Sequence, residues 1–120
     1  MTFMLACKRI YEPPTATDGH RVLVDRLWPR GLTREKAAID EWLKEIAPSN
    51  DLRRWFASHP AQWEEFERRY RDELATPDLQ ADLARLRKLA SKEKLTLLFA
   101  KRDERRNNAT VLMEVLKGRR

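Results

Sequence analysis

The fold is decided by residues 18–31, which read Asp-Gly-His-Arg-Val-Leu-Val-Asp-Arg-Leu-Trp-Pro-Arg-Gly. An Asp-Gly turn signal opens this stretch, and the apolar run at residues 22–24 follows it. We predict a strand over residues 21–27, which ends among charged residues, a tryptophan, a proline and a glycine. Proteins of the α/β class present binding sites at the carboxyl ends of such strands. The stretch therefore predicts both a buried strand and a site beside it.

Two further apolar runs predict strands on either side of this one along the chain. Residues 3–10 form the first run, and the second, residues 95–100, reads Leu-Thr-Leu-Leu-Phe-Ala. A nearly continuous apolar run of this kind is typical of a strand buried on both faces. The loop over residues 12–17 is too short for a helical crossover. The sequence leaves open whether the first two strands form a hairpin or reach parallel positions.

Helical patterns occupy most of residues 33–94. Thr33, Asp40 and Ser49 are predicted N-caps, and the helices they begin extend to residues 38, 46 and 58. Two longer amphipathic helices follow, and Asn107 or Asn108 is predicted to cap a last helix. Some apolar residues on these helices are expected to pack on the sheet: Trp55, Trp63, Phe66 and Leu83.

The order of strands and helices indicates the α/β class. We expect a small layered fold in which helices pack on a central, mostly parallel sheet of about three to four strands. Residues 1–120 are long enough for one domain with a single core. The strand ends after residues 24 and 100 are expected to point in the same direction, so the segments that follow them would meet.

Composition narrows the class of protein. Apolar residues make up 42% and charged residues 37%, which is typical of a soluble globular chain, and no apolar run is long enough to cross a membrane. The start of the chain lacks the features of a signal peptide. The single cysteine, Cys7, favours a reducing cytoplasm, and no Cys/His cluster suggests a metal site. The sequence indicates neither a cofactor nor an oligomeric state.

The positive charge lies at the two ends of the chain. The net charge is +6, of which residues 1–35 contribute two and residues 101–120 contribute four, while residues 36–100 are balanced. A one-sided positive field would favour an anionic ligand or a nucleic-acid backbone.

The two strand ends carry the candidate functional residues. Arginine side chains match phosphate and carboxylate groups, and a helix N-terminus favours anions. Asp25 or Asp103 could act as a general base, or could hold an arginine in place, and the sequence leaves both roles open. The predicted ligand-binding residues are Lys8, Arg26, Trp28, Arg30, Arg102 and Asn107.

Several of these motifs together resemble the YeaO-like branch of a bacterial family, domain of unknown function 488. The run at residues 25–31, Asp-Arg-Leu-Trp-Pro-Arg-Gly, is the most specific of them, and the resemblance spans nearly the whole chain. It implies a small α/β layer fold and a site at the strand ends rather than a defined reaction. The matching segments are residues 8–12, 18–19, 21–31, 42–44, 47–49, 52–56 and 95–98.

One turn departs from the pattern of that family. In the wider family a turn with cysteine and histidine often follows the strand that matches residues 95–100, and the YeaO-like pattern usually has histidine where this chain has Arg106. The resemblance therefore argues against acid–base chemistry by histidine in this protein. Asp103, Asn107 and Ala109 still fit the pattern.

Two functional hypotheses follow from the sequence. The leading one is a cytoplasmic protein that binds a small anionic ligand, a nucleotide or phosphorylated metabolite, with enzymatic turnover undecided. The alternative is a nucleic-acid-binding accessory protein that uses the basic chain ends. Salt dependence separates them, because binding to a nucleic-acid backbone weakens steeply with salt.

Overall fold

Four parallel strands form one sheet at the centre of the structure, a computed structural model that describes residues 3–119. Their order across the sheet is β1-β4-β2-β3. Helices pack against this sheet, so the expected α/β layer architecture is confirmed. The strands are β1 (Leu5–Arg9), β2 (His20–Leu23), β3 (Glu41–Trp42) and β4 (Leu95–Phe99).

The strand β4 lies between β1 and β2 and pairs with both. Leu5 of β1 and His20 of β2 both lie opposite Leu95, and the two ladders then run in parallel along β4. All five residues of β4 are buried, which accounts for its continuous apolar run. Because β1 and β2 each pair with β4 and not with each other, the loop between them forms no hairpin.

Local capping sets where the helices begin. The side chains of Thr33, Ser49 and Asn107 each accept a hydrogen bond from a backbone N–H one turn later, so these predicted N-caps are confirmed. Short 3₁₀ turns cover Ala16–Asp18, Lys44–Ile46 and Pro77–Leu79. The helices are α1 (Arg34–Ala37), α2 (Asn50–Ser58), α3 (Trp63–Leu74), α4 (Gln80–Lys92) and α5 (Asn108–Leu116).

The prediction of a helix over residues 41–46 is wrong. Glu41 and Trp42 instead extend beside β2 as the edge strand β3, opposite Val22 and Leu23. The Asp40 side chain does not cap a helix; it accepts the backbone N–H of Arg21 at 2.8 Å. The sheet edge thus supplies long-range backbone partners that outweigh the local helical preference.

Alternate residues of the strands face opposite sides of the sheet. Val22 and Leu97 belong to the larger hydrophobic cluster, which α2 to α5 cover, whereas Leu23 and Leu98 belong to a smaller one on the other side. Of the residues expected to pack on the sheet, Phe66 and Leu83 are buried and Trp55 and Trp63 are half-buried. Within residues 3–119, no helix is long and apolar enough to cross a bilayer.

Candidate functional site

A cavity of about 430 Å³ opens where β2 and β4 end. Residues 25–30 follow β2 after Val24 and line one side of the cavity, and Ala100 and Lys101 come directly after β4. Asn107 and Asn108, at the beginning of α5, also line it. The cavity therefore lies at the carboxyl edge of a parallel sheet, the usual position for a binding site in this class of fold.

One wall of the cavity is aromatic. Phe56 from α2 and Trp63 and Phe66 from α3 pack together, with ring centroids 4.5 Å apart for Phe56 and Phe66 and 5.3 Å apart for Trp63 and Phe66. The helical spacing of these residues predicted a core role. They also line the cavity, in addition to packing against the larger hydrophobic cluster.

Positive side chains surround the mouth of the cavity. Arg30 and Arg53 are exposed, and the Lys101 ammonium lies 4.5 Å from the ring centroid of Phe56 and 5.6 Å from that of Trp63. Burial lowers the pKa of the Lys101 ammonium, and the nearby Asp103 offsets only part of this effect. Among residues 3–119, no carboxylate lies within salt-bridge distance of Arg30, Arg53 or Lys101.

Arg26 lines the cavity but has its own partners. Its guanidinium donates to the carbonyls of Pro48 at 3.0 Å and Ala47 at 3.1 Å, and it lies 3.8 Å from a Glu45 carboxylate oxygen. These contacts attach the segment before α2 to the end of β2. Arg26 therefore shapes the cavity wall as well as adding charge to it.

Asp25 joins the two strand ends to the last helix. Its carboxylate accepts hydrogen bonds from the Ala100 N–H at 2.9 Å and from the Asn108 side-chain amide at 3.2 Å. The Trp42 indole donates to its backbone carbonyl at 2.7 Å. Burial raises the pKa of the Asp25 carboxyl, and the hydrogen bonds from Ala100 and Asn108 offset only part of this effect.

The turn after β4 carries predicted site residues that have structural partners. Asp103 is exposed, and the backbone N–H groups of Arg106 and Arg105 bind its carboxylate and lower its pKa. The Asn107 side chain is buried, caps α5 and donates to the Asp103 carbonyl. Arg102 is exposed and does not line the cavity.

Sequence comparison assigns this chain to a known family. Residues 4–119 match a family model described as "Inactive DUF488-N3 subclade". The chain belongs to the DUF488 family. The YeaO-like resemblance is confirmed, because the chain is 42% identical over 114 residues to "Uncharacterized protein YeaO" of Escherichia coli (strain K12), covering 95% of this chain and 97% of that protein.

A mycobacterial DUF488 relative is similar over almost the same length. "Uncharacterized protein Rv3073c" of Mycobacterium tuberculosis (strain ATCC 25618 / H37Rv) is 41% identical over 111 residues, which cover 92% of each chain. No solved structure matches the chain significantly.

Two predicted ligand contacts of this DUF488 protein are engaged elsewhere. The Lys8 ammonium binds the Asp18 carboxylate at 3.0 Å and the Pro13 carbonyl at 2.9 Å, and Lys8 does not line the cavity. Trp28 lines it, but its indole donates to the Leu32 carbonyl at 2.6 Å and its ring meets Trp42 edge-on. The cavity thus brings together Asp25, Arg26, Trp28, Arg30 and Asn107, and leaves Lys8, Arg102 and Asp103 outside.

Sequence reasoning missed part of the DUF488 cavity lining. Phe56, Trp63 and Phe66 follow an ordinary core pattern, and Arg53 follows an ordinary exposed pattern, so nothing local marks them. Cys7, the single cysteine of the chain, lies in β1, and burial raises the pKa of its thiol to about 12. This shift disfavours the thiolate, which is the nucleophilic form.

The pKa values of two aspartates are expected to be shifted in opposite directions. Burial acts to raise the pKa of Asp18, but hydrogen bonds from Thr15, Lys8 and Arg21 outweigh it and hold the pKa well below its usual range. Asp25 has a raised pKa. Carboxyl NMR titration should therefore give a higher midpoint for Asp25 than for Asp18, and the reverse order would contradict the structure.

The same shifts predict how stability changes with pH. Asp18 stabilises the fold above the ordinary aspartate pKa of about 3.9, and this contribution is lost as the pH falls through the lower folded value. The contribution of Asp25 is present below the ordinary value and is lost as the pH rises through its raised value. Asp25→Asn should abolish the loss of stability at rising pH and leave the loss at falling pH, which depends on Asp18, unchanged. Urea unfolding across this pH range measures both effects.

Proposed function

We propose that this DUF488 protein binds a small anionic ligand, a nucleotide or phosphorylated metabolite, in the cavity at the strand ends and does not transform it. The observation that carries the proposal is the mouth of the cavity. Arg30 and Lys101 border it, and neither has a carboxylate within salt-bridge distance among residues 3–119. An anionic group in the cavity could form charge-assisted hydrogen bonds with both side chains and would stabilise the charged form of Lys101, whose pKa is lowered.

The wall of the cavity favours a ligand with a planar ring. Small-molecule sites are concave and mostly apolar, with a few polar groups that orient the ligand. Here Phe56 and Trp63 supply apolar surface next to the cationic mouth. This combination suits a nucleotide better than a compact sugar phosphate, because a base buries against aromatic side chains while the phosphate meets the cations.

Several observations support binding without turnover. The subclade that matches the chain is described as inactive. The Asp103 carboxylate accepts hydrogen bonds from backbone N–H groups in its own turn, and Cys7 is half-buried in β1 with a raised pKa. The single cysteine supports a reducing cytoplasm as the place where the protein acts.

Removing a mouth cation is expected to weaken ligand binding without unfolding the protein. A charge-assisted contact contributes about 1.5–3 kcal/mol, so Arg30→Ala and Lys101→Ala should each lower the affinity roughly tenfold or more. Calorimetric titration with nucleoside monophosphates, sugar phosphates and small carboxylates measures this. Lys88→Ala is the matched control, since Lys88 is an exposed cation on α4 outside the cavity lining. Binding that both mouth variants retain in full would refute the proposal.

The exposed turn after β4 favours nucleic acid as the second candidate function. Arg102, Arg105 and Arg106 are all exposed in the turn that follows β4 and Lys101. If they contact a phosphate backbone, affinity for an oligonucleotide should fall steeply between about 50 and about 200 mM salt. Fluorescence anisotropy with single-stranded and double-stranded oligonucleotides tests this. Tight binding that these three arginines support, and that Arg30→Ala and Lys101→Ala leave intact, would favour this function over the ligand cavity.

A further inference from the structure

We propose that Asp25 is the specificity-determining residue of the cavity and selects ligands whose ring carries an N–H donor on the side opposite their anionic group. This inference rests on the proposed function and specifies, in addition, a hydrogen-bond donor that the ligand must carry. It assigns Asp25 a role in recognition, in place of the general-base or arginine-orienting roles that the sequence left open.

The Asp25 carboxylate has acceptor capacity that the protein does not use. An ionised carboxylate offers about four lone-pair positions. The Ala100 N–H takes one of them at 2.9 Å, and the Asn108 amide takes another at 3.2 Å. No cationic side chain among residues 3–119 lies within salt-bridge distance of it. Since Asp25 lines the cavity, a ligand can supply the missing donors.

The nearest arginine in sequence does not compensate the charge of Asp25. Arg26 directs its donors to the carbonyls of Pro48 and Ala47, away from the neighbouring carboxylate. A half-buried carboxylate without a cation is costly unless donors surround it. The raised pKa of Asp25, caused by burial, has the same origin. A donor from a ligand would stabilise the charged form.

The cavity lining therefore carries charges of both signs. The half-buried Asp25 carboxylate and the exposed cations of Arg30, Arg53 and Lys101 line the same cavity. A simple anion would be attracted by the mouth and repelled by Asp25, and a simple amine would be attracted by Asp25 and repelled by the mouth. A ligand that satisfies both kinds of charge has an N–H or NH₂ group at one end of a planar ring and an anionic group at the other.

Asp25 is held in place before any ligand binds. The Trp42 indole donates to its backbone carbonyl at 2.7 Å, and the Asn108 amide that contacts its carboxylate also donates to the Val24 carbonyl at 2.7 Å. A carboxylate fixed from both sides loses little side-chain entropy when it accepts a donor. This is the arrangement expected of a group that discriminates between ligands.

Matched pairs of probes test the proposal on the unmodified protein. One pair is adenosine monophosphate and its analogue with a dimethylated exocyclic amine; the other is uridine monophosphate and its analogue methylated on the ring N–H. Each pair keeps the phosphate and the ring and removes the donor. In calorimetric titration we expect the donor-bearing member of at least one pair to bind roughly tenfold or more tightly.

Asp25→Asn is the protein-side test, and Asp103→Asn is its matched control. Both remove one negative charge near β4, but only Asp25 lines the cavity. The preference for the donor-bearing member should weaken in Asp25→Asn, because the amide loses the charge and keeps only one acceptor oxygen, and it should be unchanged in Asp103→Asn. If Asp25→Asn does not fold, the comparison of probes on the unmodified protein decides alone.

The outcomes separate this inference from the proposed function. If both members of each pair bind equally well and Arg30→Ala weakens both, the anionic cavity stands and the role of Asp25 is refuted. If the preference for the donor is as large in Asp25→Asn as in the unmodified protein, another residue selects the donor and the inference is again refuted. If no nucleoside monophosphate, sugar phosphate or small carboxylate binds, the proposed function fails and this inference fails with it.

Discussion

Gly19→Ala is expected to lower the free energy of unfolding by roughly 2–5 kcal/mol, because it combines a left-handed backbone with a steric clash. Gly19 has a φ of +67°, a conformation that L side chains rarely adopt. A Cβ atom there would lie 2.2 Å from the Lys94 carbonyl oxygen and 2.8 Å from the Lys94 Cβ. That carbonyl cannot easily move, since it accepts the His20 N–H at 2.8 Å where β2 joins β4.

Gly31→Ala is the matched control for this prediction. Gly31 has a φ of +77°, but an added Cβ would meet no atom within 4 Å. It should therefore lose only the backbone contribution, about 1–2 kcal/mol. Urea unfolding of the two variants measures the difference, which isolates the clash with Lys94. Equal losses would show that the close approach at Gly19 does not matter for stability.

Arg21→Met is expected to cost about 3–5 kcal/mol, the range for breaking a buried ion pair by removing one partner. Arg21 is only 4% exposed. Its guanidinium binds the Asp18 carboxylate at 2.6 Å and the carbonyls of Ala37 and Ala38 at 2.7 and 2.9 Å. Methionine keeps most of the volume but leaves these buried acceptors without their donors.

The chain contains a close control for this ion pair. Asp51 and Arg54 have the same spacing in sequence and the same 2.6 Å separation of charged atoms, but their side chains are 95% and 64% exposed. Arg54→Met should change the free energy of unfolding by less than about 1 kcal/mol. Urea unfolding compares the two variants directly. A loss in Arg21→Met no larger than that in Arg54→Met would contradict the structural role of Arg21.

These two positions are also connected with the cavity through β2. Gly19 and Arg21 stand at the amino end of β2, and residues 25–30 at its other end line the cavity. Partial loss of the contacts at Lys94 or Ala37 would shift β2 against β4. Variants at the amino end are therefore expected to weaken ligand binding indirectly, together with stability, whereas Arg30→Ala should weaken binding alone.

Much of the fold could be predicted because its signals are local. The apolar run at residues 95–100 indicated a strand buried on both faces, and the side chains of Thr33, Ser49 and Asn107 indicated helix starts, all as observed. A buried strand and an N-cap each depend on a few consecutive residues. The meeting of the segments after β2 and β4 also followed, because strands that run in parallel end at the same edge of a sheet.

What the sequence could not determine depends on partners far along the chain. Residues 41–46 have a helical pattern, yet β2 draws Glu41 and Trp42 into an edge strand. The pairs Asp18–Arg21 and Asp51–Arg54 read alike, and only the tertiary structure buries the first and exposes the second. By itself, the sequence determined three of the four strands, the caps at Thr33, Ser49 and Asn107, and the edge of the sheet that carries the cavity. Only the tertiary structure decided which charges lie buried and that Asp25 faces the cavity, because desolvation depends on neighbours that chain folding brings together.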